Sequence, residues 1–149
     1  MKNQSQQSIT PTVTSMYNNS TSLYSLVKKL QLSLLPKATL RKSFIINDID
    51  KSLAVCGEEN ILAYVIGSLL VHSIYSSKAS CIRVETVSVE NQLQIKIRNT
   101  NKSSFTYSSY EHIIGGFAND AKKLGGSIGL EAEENSGVTL VFSMARNAA

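Results

Sequence analysis

Two hydrophobic periods alternate along this chain, and each change of period marks a new element. Between Gly57 and Ser77, Ile61, Val65 and Leu69 recur every fourth residue, with Leu62, Ile66, Leu70 and Ile74 in a second row beside them. The combined apolar face is too broad for a surface helix, so the pattern predicts a central, mostly buried helix of about five turns. Glu58 and Glu59 open it, where carboxylates favour the positive end of the helix dipole. Ser68 and His72 interrupt its face one turn apart. Either they are hydrogen-bonded inside the core or they border a pocket. From this helix alone the core reading is preferred, because isolated buried histidines are usually satisfied there.

A second stripe, Leu23, Leu26, Val27, Leu30 and Leu34, predicts a helix capped by Ser20, Thr21 or Ser22 and running to about Leu35, with Pro36 helping to end it. Tyr110, Ile113, Ile114, Phe117, Ala121 and Leu124 mark a third helix over about 109–124. Gly115 and Gly116 inside it cost roughly 1 kcal/mol each relative to alanine, unless close packing or a kink compensates. Gly125 and Gly126 supply a left-handed cap.

Alternation of period two predicts strands at 42–47, 52–56, 80–89, 92–98, 127–133 and 138–144. The polar links 48–51, 90–91 and 134–137 suggest three hairpins. Helix and strand pair alternate three times. The expected architecture is a two-layer α/β (α+β) sandwich: a mixed, mostly antiparallel sheet covered on one face by three helices. Residues 1–19, rich in Ser, Gln, Asn and Thr, read as a flexible tail, and 20–145 as a single domain.

Composition narrows the function only a little. The 149 residues carry a net charge of +4 with 42% hydrophobic content, ordinary for one globular domain. The basic residues form no run, so nucleic acid is not an expected partner. The first fifteen residues lack the apolar core of a signal peptide, and no apolar run approaches a membrane span, so a cytoplasmic protein without membrane contact is expected. Cys56 and Cys81 have no metal-ligand spacing and read as reduced thiols. A site built on His72 and His112 lacks a Cys or carboxylate cluster nearby, so no metal centre is expected.

Several local patterns then converge. Cys56-Gly57-Glu58-Glu59-Asn60 leads into the central helix. Ser68-Leu69-Leu70-Val71-His72-Ser73-Ile74 follows, then Ala121-Lys122-Lys123-Leu124-Gly125-Gly126-Ser127-Ile128, and Ser136-Gly137-Val138-Thr139-Leu140-Val141-Phe142. In this order, from about Leu23 to Met144, they resemble the ATP-binding domain of sensor histidine kinases, the fold shared with gyrase B, Hsp90 and MutL.

The resemblance fails where the chemistry lies. The family's central helix reads Asn-Leu-Leu-Xaa-Asn-Ala-Ile, and its second asparagine helps to hold magnesium on ATP. Here the two asparagine positions are Ser68 and His72, and an imidazole is a poor ligand for an ion that wants hard oxygens. The family's Asp-Xaa-Gly-Xaa-Gly, whose aspartate reads adenine, falls at Asn99-Thr100-Asn101-Lys102-Ser103. Both glycines are missing, although Asn99 keeps a side-chain oxygen able to meet a base. Tyr107 to His112 replace the glycine loop that admits phosphates. About ten residues stand where the family has its long lid.

The resemblance therefore implies a degenerate ATPase-fold domain acting as a non-catalytic protein-interaction module in bacterial two-component signalling. Its expected partner is a response regulator or a sensor kinase, with room for a homodimer. No cofactor is expected, and Ser68, His72 and Asn99 are assigned to a vestigial nucleotide pocket. The rival expectation is an ATP-binding sensor or kinase domain in which magnesium-ATP is held through His72 and Asn99 as variant contacts.

Overall fold

Leu93, Ile95 and Ile97 are buried while Gln94, Lys96 and Arg98 between them reach the other face, and this alternation sets the plan of the molecule. The computed structural model describes residues 20–76, 78–100, 107–133 and 137–145. Residues 1–19, 77, 101–106, 134–136 and 146–149, and with them the expected N-terminal tail and most of the 134–137 link, lie outside the described residues. In chain order the elements are β1 (Ser20–Ser22), α1 (Leu23–Leu40), β2 (Phe44–Asn47), β3 (Ala54–Cys56), α2 (Glu59–Tyr75), β4 (Cys81–Val89), β5 (Gln92–Asn99), α3 (Tyr107–Lys123), β6 (Ser127–Glu133) and β7 (Gly137–Ala145).

Five strands form the main sheet in the order β2-β4-β5-β7-β6, and β1 and β3 form a small second sheet. The sheet's inner face, with Ile82, Val84, Ile95, Ile97, Leu140 and Phe142 almost wholly buried, packs on the helices. At the centre of that layer α2 buries Leu62, Val65, Ile66, Leu69, Leu70 and Ile74 without exposure. The expected α+β sandwich, three helices over a mixed sheet, is the observed one.

Two of the three expected hairpins form, β4–β5 and β6–β7, both antiparallel. Glu90 turns the first with φ of 54°. The pairing expected between 42–47 and 52–56 does not form. Strand β2 instead runs parallel to β4, from Phe44 beside Cys81 to Asn47 beside Val84, and β3 pairs antiparallel with β1. A parallel pair needs a long crossover, and α2 supplies it. The link that reads as a polar turn hides Ile49, only 4% exposed, while the Asp48 N–H continues the ladder to the Val84 carbonyl. On the outer edge of β2, Gln31 donates its amide to the Ile45 carbonyl at 2.7 Å, so α1 covers an otherwise open strand.

Pro36 does not end the first helix, which continues to Leu40. The N–H that proline lacks would have met the Leu32 carbonyl, on a turn where Leu32 and Leu35 are exposed and water can replace it. Buried Leu34 and Ala38 hold the last turn against the core. At the other end Ser22 caps the helix, its hydroxyl accepting from the Ser25 N–H at 3.3 Å.

The two glycine pairs of the third helix differ. A Cβ on Gly115 or Gly116 would meet nothing within 4 Å, so close backbone packing is not their reason. Gly125 takes φ of 72°, its N–H bonding the Lys122 carbonyl while the Gly126 N–H bonds that of Ala121, both at 2.9 Å. That is a Schellman cap. At Gly126 a Cβ would lie 1.8 Å from the Ser143 carbonyl oxygen.

Candidate functional site: a trough over the central helix

α2 lies between α1 and α3, and its sheet-distal side is the floor of a solvent-open trough of about 550 Å³. Ala63, Gly67 and Val71 form one row of that floor, with Tyr64, Ser68, His72 and Tyr75 beside them. α1 contributes Leu30, Ser33 and Leu34 as one wall, and α3 contributes Ile113 and Phe117 as the other. The Tyr64 and Phe117 rings meet edge to face at a centroid distance of 5.3 Å, joining floor to wall. No Lys, Arg, Asp or Glu lines the trough among the described residues.

The helical periods produce this arrangement. The α2 residues with no exposed surface, Leu62, Val65, Ile66, Leu69, Leu70 and Ile74, all fall on the two core rows, so the remaining positions form a separate stripe. That stripe is apolar for most of its length, which a solvent-facing stripe ordinarily is not.

Ser68 and His72 thus border a pocket; the core alternative preferred from the helix pattern is not what the structure has. Both are half-buried. Burial holds the His72 imidazole below its ordinary pKa, because partial removal from water penalises the charged ring.

Asn99 does not join them. It sits at the end of β5, 2% exposed, on the sheet side of α2, and its side-chain amide donates to the Ser73 carbonyl at 3.1 Å. Ser73, also buried, donates its hydroxyl to the Leu69 carbonyl at 3.0 Å. The structure therefore brings Ser68 and His72 together and places Asn99 behind the helix that carries them.

The aromatic and aliphatic walls escaped the sequence reading. Leu30 and Phe117 belong to stripes that read as core, and Tyr64 and Tyr75 fall outside both rows of the central helix. The usable signal was the apolar content of that helix on its third side, where Ala63, Gly67 and Val71 stand in place of charged residues.

No protein-family model matches the sequence, and no curated protein matches it. Solved structures do match the fold. The nucleotide-free catalytic domain of histidine kinase ThkA aligns with a TM-score of 0.68 at 16% identity, over 85% of this chain and 95% of that one. Acinetobacter baumannii histidine kinase AdeS aligns with a TM-score of 0.73 at 15% identity, over 92% of this chain and 75% of that one. Histidine kinase ThkA in complex with response regulator protein TrrA gives 0.69 at 17% identity, over 86% of this chain and 41% of that one. The chain has the histidine-kinase-type ATPase fold. At these identities the likeness carries the fold alone.

Among the described residues no helix is long and apolar enough to cross a membrane, and no three His, Cys, Asp or Glu side chains cluster as metal ligands.

Proposed function

We propose that this chain is a non-catalytic signalling domain that keeps the histidine-kinase-type ATPase fold and uses it to bind protein in place of nucleotide. One observation carries the reading. Ser68 and His72, at the two asparagine positions of the kinases it resembles, the second of which helps to hold magnesium there, stand in a trough with apolar walls and no charged side chain among its described residues. Magnesium-ATP needs hard oxygen ligands and charge-assisted bonds to its phosphates. Neutral hydroxyls, a half-buried imidazole held toward its neutral form, and apolar walls offer the metal no anionic oxygen and the phosphates no charged donor. Asn99, at the position of the adenine-reading aspartate, spends its amide on the backbone of α2. An apolar trough of this kind fits a protein surface better than a triphosphate.

The partner class is proposed by analogy with one matching structure. One matching kinase is seen in complex with a response regulator, and a response regulator or a sensor kinase is the partner proposed here, in the cytoplasm.

Isothermal titration of the full chain with magnesium-ATP tests the reading. The expected result is no heat of binding at micromolar concentration. Micromolar affinity that His72→Ala weakens about tenfold, equivalent to roughly 1.4 kcal/mol, would overturn it. So would a crystal with ordered phosphates beside Ser68 and His72. Either result would favour the alternative, an ATP-binding sensor with His72 and Asn99 as variant contacts.

A further inference from the structure

We infer that the trough is a seat for one amphipathic helix of a partner protein, apolar on the face it buries and acidic on the flanking face. The inference rests on the protein-binding reading above and names the chemistry of the partner at that same site.

Shape comes first. The floor runs along α2 from Ala63 to Tyr75, which at 1.5 Å per residue is about 18 Å, or a little over three turns of a facing helix. α1 and α3 stand on either side with Leu34 and Phe117 turned toward it. A long apolar floor between two helical walls is the geometry in which an amphipathic helix lays its i, i+3, i+4, i+7 stripe.

Charge selects the occupant. Ser33 of the α1 wall lies on one helical stripe with Lys29 and Lys37, four residues to either side. Both lysines are exposed, and α1 contains no Asp or Glu from Leu23 to Leu40. Arg41 and Lys42 follow directly, with the Arg41 guanidinium 5.9 Å from the centre of the Tyr75 ring at the far end of the floor. The carboxylate of Glu59 approaches Lys29 only at 3.9 Å, in a pair where both side chains are mostly exposed and the attraction is weak. The α1 wall of an uncharged trough is thus basic along its length, whereas on α3 Glu111 and Asp120 are matched by Lys122 and Lys123, with Asp120 3.9 Å from Lys123. A helix with glutamates next to its apolar stripe is attracted to it, and one with lysines there is repelled.

Two fluorescein-labelled synthetic helices test this against the full chain by fluorescence anisotropy. They share one leucine face; one carries glutamates on its polar face, the other lysines. The glutamate helix should bind with micromolar affinity and about tenfold more tightly than the lysine helix. The surface variant Lys29→Glu/Lys37→Glu should reverse that preference without disturbing the core. Ser68→Trp, which fills the floor, should weaken both helices by about tenfold, roughly 1.4 kcal/mol.

Failure of the folded chain to bind either helix overturns the inference, as does binding that neither variant changes. A stable dimer by light scattering that Ser68→Trp converts to monomer would make a second copy the occupant and overturn it too. Titrating magnesium-ATP into the same sample separates the failures. With neither ATP nor helix bound, the helix inference alone falls; with ATP bound at micromolar concentration, the functional reading beneath it falls.

Discussion

Asn99 and Ser73 join the sheet to the central helix: the amide of the first donates to the carbonyl of the second at 3.1 Å, with both residues almost completely buried. The carbonyl belongs to an α2 residue whose hydroxyl is itself turned back onto the Leu69 carbonyl. Asn99 therefore holds the end of β5 against the last turn of the helix. The Ser76 hydroxyl also donates to the Ser73 carbonyl, at 3.3 Å, so Asn99→Ala removes one of its donors and should cost about 0.5–1.5 kcal/mol in urea denaturation. Asn99→Asp should cost more at neutral pH, because a carboxylate would then face a carbonyl oxygen, and stability should recover as the acid protonates. Equal stability of wild type and Asn99→Asp at neutral pH would show that the amide does not hold the helix.

The helix that Asn99 holds is also the centre of the core. Leu69 and Ile66 have no exposed surface. Replacing either with alanine should cost about 2–5 kcal/mol, through lost burial and the cavity left behind. Chemical denaturation measures this, and a loss under about half a kcal/mol at both positions would be the size of a surface substitution.

The glycines of α3 allow a prediction of opposite signs. Gly115 and Gly116 are exposed helical residues with open space around each missing Cβ. Gly115→Ala should stabilise the protein by about 1 kcal/mol, the difference in helix propensity. Gly126→Ala should destabilise it by more than about 2 kcal/mol, because the new methyl would collide with the Ser143 carbonyl and the backbone of β7 must move. Thermal midpoints of the two variants should fall on opposite sides of wild type.

The elements with long, unambiguous periods were legible in the sequence. The two rows of the central helix and the alternation through β4–β5 and β6–β7 each had one reading, and the structure has it. Local grammar misled where tertiary contacts outweighed it. Pro36 is tolerated because its missing bond falls on the exposed side of a helix that Leu34 and Ala38 anchor. The 48–51 link reads as a hairpin turn, yet Ile49 is drawn into the core and β2 is carried beside β4. The trough was hidden for a different reason. Periodicity reports that Leu30, Ile113 and Phe117 lie on apolar faces, but not whether another element covers those faces. Which side of α2 the sheet takes, and which side stays open around His72, is decided by the packing of three helices together.

His72 gives that open side a pH dependence. Burial holds its pKa below the ordinary 6.5, and no charged group lines the trough among the described residues to offset the penalty. A histidine whose native pKa is depressed binds fewer protons folded than unfolded over the interval between the two values. Stability therefore falls as pH drops through about 6.5 and levels off once the pH is below the native value; above about 6.5 the group contributes nothing. The other shifted group, Asp50, acts in a separate range. Hydrogen bonds from the backbone N–H and the hydroxyl of Ser52 lower its pKa below 3.8, so the stability it contributes is lost only in stronger acid. Thermal midpoints of wild type and His72→Gln, measured from neutral pH down to about pH 5, should diverge, with wild type losing more as the imidazole charges. Parallel curves would mean that the His72 ring is hydrated in the trough as fully as in the unfolded chain. A partner helix seated over the ring should deepen the wild-type loss, since covering the imidazole removes it further from water.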